Sequence, residues 1–511
     1  MESSRTVNSI KNILTSLLSQ VWILGLSMIS RSFFLMYLSI NYLGVNGLFS
    51  NILSLLTLAD LGIGTAMNFS LYKPIHEKNQ EEITMLMHYY RKVYLVIALV
   101  IALSGLLVVP FLPLIIDSPI PMDEIYIFYL IQLCASVSSY LFIYKATLLE
   151  ANQKGYLINQ IGIITQSIRI ILQIGILILF QNYILYLLVM VVMEIIDNFW
   201  VSKVAEREYS FIKEKAAKLS TKKRKKIWKD IRSIFGYRMG GMVLNNTDDI
   251  FISAMVGTAY VGLYSNYMMI IATINQFISM FFRSITAAVG DKLTEEKDND
   301  QFRLFQTLSF LCYWLVSFSA VALFSLLNDF LRLWLGPEYL FSWLDVFLIC
   351  AWFAVSNSMT AVSTFREGSG LFHQLRYLFL VTAALNIVLC LIFGQYFGLT
   401  GILLSQVLCR IFTNMWYEPY ILIHHYFKQP LFHYFIDICR FIPIIFGSAW
   451  LIQWLGSAVG VTGTVSQFIW KMILCICIPN GVMFLLFHRT KEWKDVLSYG
   501  KVLLHYVSKK R

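Results

Sequence analysis

Apolar stretches, each about as long as one bilayer crossing, follow one another along this chain from Val7 to His488. The uncharged run from Tyr94 to Ile116 exceeds the roughly 20 residues that a helix needs to cross a hydrocarbon core. The run from Tyr377 to Cys409 is long enough for two crossings, with a glycine-containing turn at residues 397–401. A soluble domain could not bury so many segments of this kind. The pattern therefore predicts an all-α polytopic membrane protein.

Turn residues and charges divide the chain into about fourteen predicted spans, whose boundaries are uncertain by about three or four residues. The spans cover residues 13–38, 44–71, 92–116, 124–149, 156–180, 182–204, 231–256, 260–289, 303–327, 341–365, 375–397, 400–423, 435–456 and 465–488. Polar residues interrupt the first, second, seventh and eighth spans, which makes these four the least regular.

The charges agree with this pattern of spans. Hydrophobic residues make up 58% of the chain and charged residues 14%, well below the roughly 25% charged of soluble domains. Positive residues gather in the connections after even-numbered spans, and residues 203–232 alone carry 12 Lys and Arg against 4 Asp and Glu. The connections after odd-numbered spans are nearly free of positive charge. The positive-inside rule therefore predicts that both termini are cytoplasmic.

The net charge of +11 is in this interpretation a signal of topology. The basic run at residues 222–226 could suggest nucleic-acid binding, but a cytoplasmic loop beside anionic lipid explains it more simply. We therefore expect the lipid bilayer, and no nucleic acid, as a partner. Residues 489–511 alternate aromatic and aliphatic residues with lysines, which predicts an amphipathic helix on the inner leaflet.

The chain also contains an internal repeat. The sequence GLFSN at residues 47–51 recurs as GLYSN at residues 262–266, an offset of 215 (262 − 47). The repeat relates the second span to the eighth, as a duplication of six helices requires. We therefore predict six-helix lobes at 1–204 and 231–423, a basic linker at 205–230, helices 13 and 14 within 424–488, and the tail at 489–511. Two-lobed transporters commonly bind substrate between the repeats and alternate access by rocking.

One segment resembles a known family. Residues 42–64 read YLGVNGLFSNILSLLTLADLGIG, and they are followed by LYKP at 71–74 and YRKVY at 90–94. This is similar to the N-terminal signature of Wzx-type polysaccharide-biosynthesis flippases, within the multidrug/oligosaccharidyl-lipid/polysaccharide exporter superfamily. The close likeness covers residues 30–95, under a fifth of the chain, whereas the length, span number, duplication and charge topology agree throughout. The family commonly has Glu where this chain has Asp60, which is shorter by one methylene.

The resemblance implies a fold of two six-helix bundles that form a V around a central, often cationic, cavity. It implies transfer of undecaprenyl-pyrophosphate-linked oligosaccharide repeat units across the bacterial cytoplasmic membrane, from the inner to the outer leaflet, for O-antigen or capsule-type polymers. A polysaccharide polymerase and glycosyltransferases of the pathway are then possible partners. The sequence has no Walker-type glycine loop and no metal-ligand spacing, so we expect neither an enzyme nor a cofactor or metal.

Ionisable residues at membrane depth cost several kcal/mol unless they face a cavity or a partner, and they are therefore the candidate site. Guanidinium groups suit phosphate oxygens, so the intramembrane arginines are candidates for pyrophosphate binding. The candidates are Arg31, Arg169, Arg283 and Arg410, together with Asp60. Arg31 and Arg283 rank first because spans one, two, seven and eight line the cleft in the fold that the resemblance implies.

Other polar residues have two interpretations. Asn51 and Asn266 could donate hydrogen bonds to sugar hydroxyls, and Asp248 and Asp249 could bind a coupling cation or a proton. The structural alternative is that asparagines pack between helices and that the arginines pair with acids, holding the bundle together.

Three other functions remain open. A multidrug or cation antiporter of the same fold should prefer acids to arginines in its lobes, but here the intramembrane charges are mixed. A lipid II flippase is the second alternative, and the signature in the second span argues against it. A membrane polymerase or scaffold of the same pathway is the third, although a polymerase is expected to have longer outer loops.

Overall fold

The computed structural model describes residues 2–57, 63–214, 217, 219–295, 298–369, 371, 375, 377–458 and 463–498. Within these residues the secondary structure is helical and contains no strand. The chain divides into two compact units, Met1–Gly262 and Leu263–Arg511. The predicted fold class, an all-α polytopic membrane protein, is confirmed.

The first unit contains eleven helices and the beginning of a twelfth in the described part of the chain. They are α1 (Glu2–Tyr37), α2 (Ile40–Leu56), α3 (Ile63–His76), α4 (Gln80–Val108), α5 (Leu112–Ile115), α6 (Met122–Ser139), α7 (Ile143–Ala151), α8 (Gly155–Phe180), α9 (Tyr183–Glu208), α10 (Thr221–Asn246), α11 (Asp248–Met255) and α12 (Thr258–Glu295). Helix α1 packs on α8, α8 packs on α9, and α9 packs on α6. Helices α10 and α11 pack on α2.

Side-chain caps begin several of these helices where polar residues interrupt the apolar runs. The side chain of Asn79 accepts a hydrogen bond from the Glu82 amide at 3.0 Å and begins α4. Asn182 does the same for the Leu185 amide, also at 3.0 Å, and begins α9. The first amides of a helix have no partner within the helix, and these asparagines supply one at two exposed helix ends.

The second unit contains the rest of α12, seven further long or short helices among its described residues and a helix at residues 491–498 of the tail. The seven are α13 (Asp298–Trp334), α14 (Trp343–Ser358), α15 (Thr360–Ser369), α16 (Leu378–Phe412), α17 (Asn414–Pro419), α18 (Leu431–Ala458) and α19 (Thr464–Phe487). A π-helical turn, Tyr420–Tyr426, continues α17. Helix α13 is central, because it packs on α14, α18 and α19.

The turn predicted at residues 397–401 is present inside α16. Gly398 has φ 57° and ψ −131°, which is not helical and lies in a region that L-residues other than glycine rarely adopt. A Cβ atom on Gly401 would lie 2.0 Å from the carbonyl oxygen of Phe393, so the chain reverses too tightly there for a side chain. The two glycines therefore separate the eleventh predicted span from the twelfth, as the sequence indicated.

Glycines also bring the two helices of the internal repeat together at their beginnings, within the first unit. A Cβ atom on Gly44 of α2 would lie 1.9 Å from the carbonyl oxygen of Thr258. A Cβ atom on Gly262 of α12 would lie 2.6 Å from the carbonyl oxygen of Ile40. Small residues allow such direct backbone contact between membrane helices, which explains why glycine is required at both positions.

The beginning of the predicted amphipathic tail packs on the second unit. Residues 491–498 form a helix, and Trp493 stacks on Trp314 of α13 with ring centroids 4.8 Å apart. Arg303 of α13 binds Asp495 through two hydrogen bonds, of 2.9 and 2.8 Å. The rest of the tail, residues 499–511, lies outside the described residues.

Nine helices of the described chain are long and apolar enough to cross a membrane, and the pair α6 and α7, bent by 45°, would make ten. Three predicted spans are not among these helices, and one of them, the eighth, lies within the continuous helix α12. The second predicted span corresponds to α2 and α3, and the seventh to α10 and α11. Fourteen crossings therefore stay a prediction.

Candidate functional site

Two of the predicted arginines of the first unit interact with the same tyrosine. Arg31 lies on α1 and Arg169 on α8, and both interact electrostatically with Tyr186 of α9. The Tyr186 hydroxyl is also hydrogen-bonded to Ser30, the neighbour of Arg31. Since α8 packs on both α1 and α9, these three helices bring the side chains together. Arg31, Arg169, Tyr186 and the acid Glu194 are called the arginine cluster below.

Acids lie beside this cluster, as predicted if the arginines pair with acids to hold the helices together. Glu194 of α9 interacts electrostatically with Arg169 and with Asp197. Asp197 accepts a hydrogen bond from the hydroxyl of Thr165. The Nε atom of Arg169 is nevertheless buried without a hydrogen-bond partner among the described residues. Because buried donors are rarely left unsatisfied, this N–H group is available to an additional acceptor, such as a phosphate oxygen.

Asn51 and Asp249 bind each other, although the sequence predicted a different role for each. The side-chain amide of Asn51 on α2 donates a hydrogen bond to the carboxylate of Asp249 on α11. Asp248 and Asp249 are both buried, each with 7% of its surface exposed. Gly47 lies alongside, since a Cβ atom there would be 3.8 Å from Oδ2 of Asp249. The first copy of the repeat motif therefore packs directly on Asp249.

Asp60, the remaining candidate in the first unit, lies outside the described residues.

In the second unit the three predicted residues are in different environments. Asn266 on α12 is fully enclosed, with 0% of its surface exposed. Arg410 on α16 donates a hydrogen bond to the Gln406 carbonyl at 3.0 Å, and its guanidinium carbon lies 5.5 Å from the ring centroid of Trp352. Arg283 on α12 is exposed. Of the three, Arg283 is therefore the one that an incoming ligand can reach without displacing packed protein.

A large apolar groove lies along α12 and α13 in the second unit. Its volume is about 620 Å³, and Ser319 is the single polar residue among the fifteen that line it. Helix α12 contributes Ile270, Ile274, Phe277, Ile278 and Phe281; α13 contributes Leu311, Leu315, Phe318, Ser319, Ala322, Leu323, Leu326, Leu327 and Phe330; and α19 contributes Phe468. These residues define the apolar groove. Its volume lies within the range of about 300–1,000 Å³ that is typical of ligand pockets.

Arg283 and the apolar groove lie on opposite sides of α12. Each residue turns a helix by about 100°, so Arg283, nine positions after Ile274, points about 180° away from it. The helix therefore separates an apolar surface from an exposed positive charge.

Two features escaped the sequence analysis. Tyr186 was not distinguished from the other tyrosines, because the chain has 28 of them and nothing local marks this one. Arg366 and Glu418 form a buried ion pair at 3.1 Å, with both side chains 2% exposed. Asn414 donates to the same carboxylate at 3.1 Å. Other charged residues lie between Arg366 and Glu418 in the sequence, so no local pattern identifies the two as partners.

The fold has known counterparts. No protein-family model and no curated protein matches the sequence. The lipid II flippase MurJ, in an inward closed conformation, is similar in structure with a TM-score of 0.68 and 14% identity, over 94% of this chain and 100% of that chain. An inward-facing MATE-family multidrug transporter of the MOP superfamily matches with a TM-score of 0.58 and 12% identity, over 78% of this chain and 93% of that one. The chain therefore shares its fold with these two proteins, the second of which is described as a member of the MOP superfamily.

A MATE transporter of Vibrio cholerae also matches this fold, with a TM-score of 0.57 and 13% identity, over 81% of this chain and 96% of that chain. These structures are of transporters and flippases, and the likeness at such identities concerns the fold alone. The chain is therefore a multi-pass membrane protein that shares this fold.

Proposed function

We propose that the protein is a flippase for undecaprenyl-pyrophosphate-linked oligosaccharide repeat units. It moves them from the cytoplasmic to the outer leaflet by alternating access, for the synthesis of O-antigen or capsule-type polysaccharide. The substrate has two chemically opposite parts, a charged pyrophosphate head that carries the sugars and a long apolar isoprenoid tail. A protein that transfers it must offer a separate environment to each part.

The observation that carries this proposal is the division of surfaces by α12. On one side of this helix is the apolar groove of about 620 Å³, which suits a stretch of isoprenoid chain. On the opposite side is the exposed guanidinium of Arg283, which suits a phosphate oxygen. The bilayer interior is as apolar as the groove, so the groove would hold the tail by close packing and not by removal from water. A tail in the groove would hold the lipid while its head lies beyond the helix.

The arginine cluster is the second proposed phosphate site. It presents two guanidinium groups, from Arg31 and Arg169, around Tyr186, and Arg169 Nε is a buried donor without a hydrogen-bond partner in the described chain. Charge-assisted hydrogen bonds from arginine to phosphate are about twice as strong as neutral ones. Arg410 is a weaker candidate because Gln406 and Trp352 already engage it.

The remaining assignments follow from the charge pattern. We place the protein in the bacterial cytoplasmic membrane with both termini cytoplasmic, because positive residues follow the even-numbered spans. The repeat supports lobes at 1–204 and 231–423, although α10 and α11 pack within the first unit. A polymerase and glycosyltransferases of the same pathway would be its protein partners.

The test is leaflet transfer in proteoliposomes that contain a fluorescent undecaprenyl-pyrophosphate oligosaccharide. Wild type should transfer it, and Arg31→Ala and Arg283→Ala should each lose most of the rate. Arg332→Ala is a matched control, since Arg332 is an exposed arginine at the end of α13. Transfer that is unchanged in both site variants would make these arginines structural. Absence of transfer by the folded wild type across several glycans would refute the flippase.

Two alternatives have support of their own. Lipid II is also carried on undecaprenyl pyrophosphate, and a lipid II flippase shares the fold with a TM-score of 0.68. Lipid II should therefore be a second substrate in the same assay, and its preference over repeat units would assign that role. The buried pair of Asp248 and Asp249 favours a cation or drug antiporter, which would instead show proton-driven efflux of cationic dyes.

A further inference from the structure

A pocket of about 510 Å³ lies at the beginning of α10, in the first unit. Its lining consists of Tyr89 from α4 and of Thr221, Arg224, Lys225, Trp228 and Lys229 from α10. Three of these six residues are cations and none is an acid. This pocket is called the α10 pocket below.

Two contacts fix the first turns of α10 against α4 and so give the pocket a definite shape. Lys223 forms an ion pair with Glu82 at 2.5 Å. One and a half turns further on, the indole N–H of Trp228 donates to the hydroxyl of Tyr89 at 2.9 Å. The α10 residues of the lining are spaced by three and four positions, so they share one face of the helix. The basic run is therefore a positioned surface and not a loose charged segment.

The cations of the pocket are free to bind an anion. Arg224, Lys225 and Lys229 form no ion pair with any acid in the part of the chain that the structure describes. Lys223, which directly precedes them on the helix, is already paired with Glu82. Lys222 and Lys226 belong to the same basic run, but they do not line the pocket.

The position of the pocket along α4 indicates the membrane surface. Tyr89 lies three residues before residue 92, where the third predicted span begins. Trp228 is 45% exposed, and tryptophan and tyrosine are enriched at the level of the lipid head groups. Basic segments of cytoplasmic loops attract the anionic lipids of the inner leaflet. A cationic pocket with an aromatic wall at this depth suits a phosphate that is attached to an acyl chain.

We propose that the α10 pocket binds the phosphate of an anionic phospholipid head group in the inner leaflet. Arg224, Lys225 and Lys229 contact the phosphate oxygens, and the partly exposed Trp228 lies beside the glycerol and upper acyl region. The proposal rests on the predicted membrane topology and is independent of what the protein transports.

The test compares two pairs of substitutions in the full-length protein, purified in a neutral detergent. Lys225→Gln with Lys229→Gln removes two charges from the pocket, while Lys222→Gln with Lys226→Gln removes two from the same helix outside it. Native mass spectrometry then counts bound phosphatidylglycerol as it is titrated, with phosphatidylcholine as the neutral lipid. We expect at least a fivefold loss of phosphatidylglycerol affinity for the pocket pair and less than twofold for the control pair.

Several results would overturn the proposal. Equal losses in both pairs would show a diffuse charge effect without a site. Displacement of the lipid by excess inorganic phosphate would show a general anion site, and tighter binding of undecaprenyl pyrophosphate would show a substrate site. If the pocket pair failed to fold by size-exclusion chromatography, Arg224→Gln alone would serve, with the same loss expected and wild-type affinity contradicting the proposal. Since no transport is measured, these outcomes leave the proposed flippase activity to its own assay.

Discussion

The amide of Asn51 donates a hydrogen bond of 2.5 Å to the carboxylate of Asp249, joining residues 198 positions apart in the sequence. The contact links α2, which carries the first copy of the repeat motif, to the acidic beginning of α11. Asp249 is 7% exposed, so its carboxylate depends on such donors. From the sequence, Asn51 was a candidate for binding sugar hydroxyls and Asp249 a separate candidate for binding a coupling ion. In the structure they form one unit.

We predict that Asn51 and Asp249 are energetically coupled. A buried hydrogen bond to a charged group contributes about 1.5–3 kcal/mol, so Asn51→Ala and Asp249→Ala should each lower the melting temperature. The double variant should lose less than the sum of the two, because the second change finds the bond already broken. Thermal unfolding of the purified protein in detergent measures this.

Ser50 provides the control for that cycle, because its hydroxyl binds the Asn46 carbonyl of its own helix at 2.8 Å. The effects of Ser50→Ala and Asp249→Ala should add. Additive effects for Asn51 and Asp249 as well would mean that their contact contributes nothing to stability.

The sequence predicted the fold class because bilayer-length apolar runs and loop charges are local signals. It also located the turn at residues 397–401, where Gly398 adopts a positive φ, since two closely spaced glycines within a long apolar run are a local signal for a chain reversal. The contact between Asn51 and Asp249 could not be predicted, because a single sequence contains no information on which helix faces meet. The same holds for Tyr186, whose role depends on Arg31 and Arg169 arriving from two other helices.

The buried pair of Arg366 and Glu418 should be essential for folding the second unit. Both side chains are 2% exposed, and removing one partner of a buried pair costs about 3–5 kcal/mol. Arg366 also contacts the half-exposed carboxylate of Glu367 at 3.3 Å, so the loss of Glu418 should cost less than the loss of Arg366. Arg366→Met and Glu418→Gln should therefore each reduce the yield of folded protein sharply. Combining them should restore part of it. Fluorescence-detected size-exclusion chromatography of membrane extracts gives the readout.

A second, exposed ion pair tests whether burial is the reason for the expected loss of folded protein. Arg440 and Asp437 are 2.9 Å apart, with side chains 61% and 44% exposed, and exposed pairs contribute about 0–1 kcal/mol. Asp437→Asn should leave the yield nearly unchanged. If it were as damaging as Glu418→Gln, burial would not explain the effect.

The arginine cluster should require the guanidinium shape and not only a positive charge. Lysine keeps the charge of Arg31 or Arg169 but loses the planar fork that matches phosphate oxygens. We expect Arg31→Lys and Arg169→Lys to slow leaflet transfer about tenfold, which corresponds to roughly 1.4 kcal/mol. The measurement is the initial transfer rate in proteoliposomes with matched protein content.

Arg332→Lys is the corresponding control in that assay, and it should transfer at the wild-type rate. Wild-type rates in both cluster variants would show that charge alone suffices. They would also remove the reason for placing a phosphate oxygen on Arg169 Nε.

Filling the apolar groove should weaken the protein's hold on the isoprenoid tail and not on the head. Ser319 lines the groove and is partly exposed, so Ser319→Trp adds an indole there with little disturbance of the packed core. Leu333 is 38% exposed on the same helix and does not line the groove, so Leu333→Trp is the matched control.

Binding to detergent-solubilised protein is measured for a full-length undecaprenyl pyrophosphate and for a short-chain analogue with the same head. Ser319→Trp should weaken binding of the long-chain lipid several-fold and leave the short analogue unaffected, since only the long tail reaches the groove. Equal weakening of both, or of neither, would exclude the groove as the tail site while leaving the arginines as the head-group candidates.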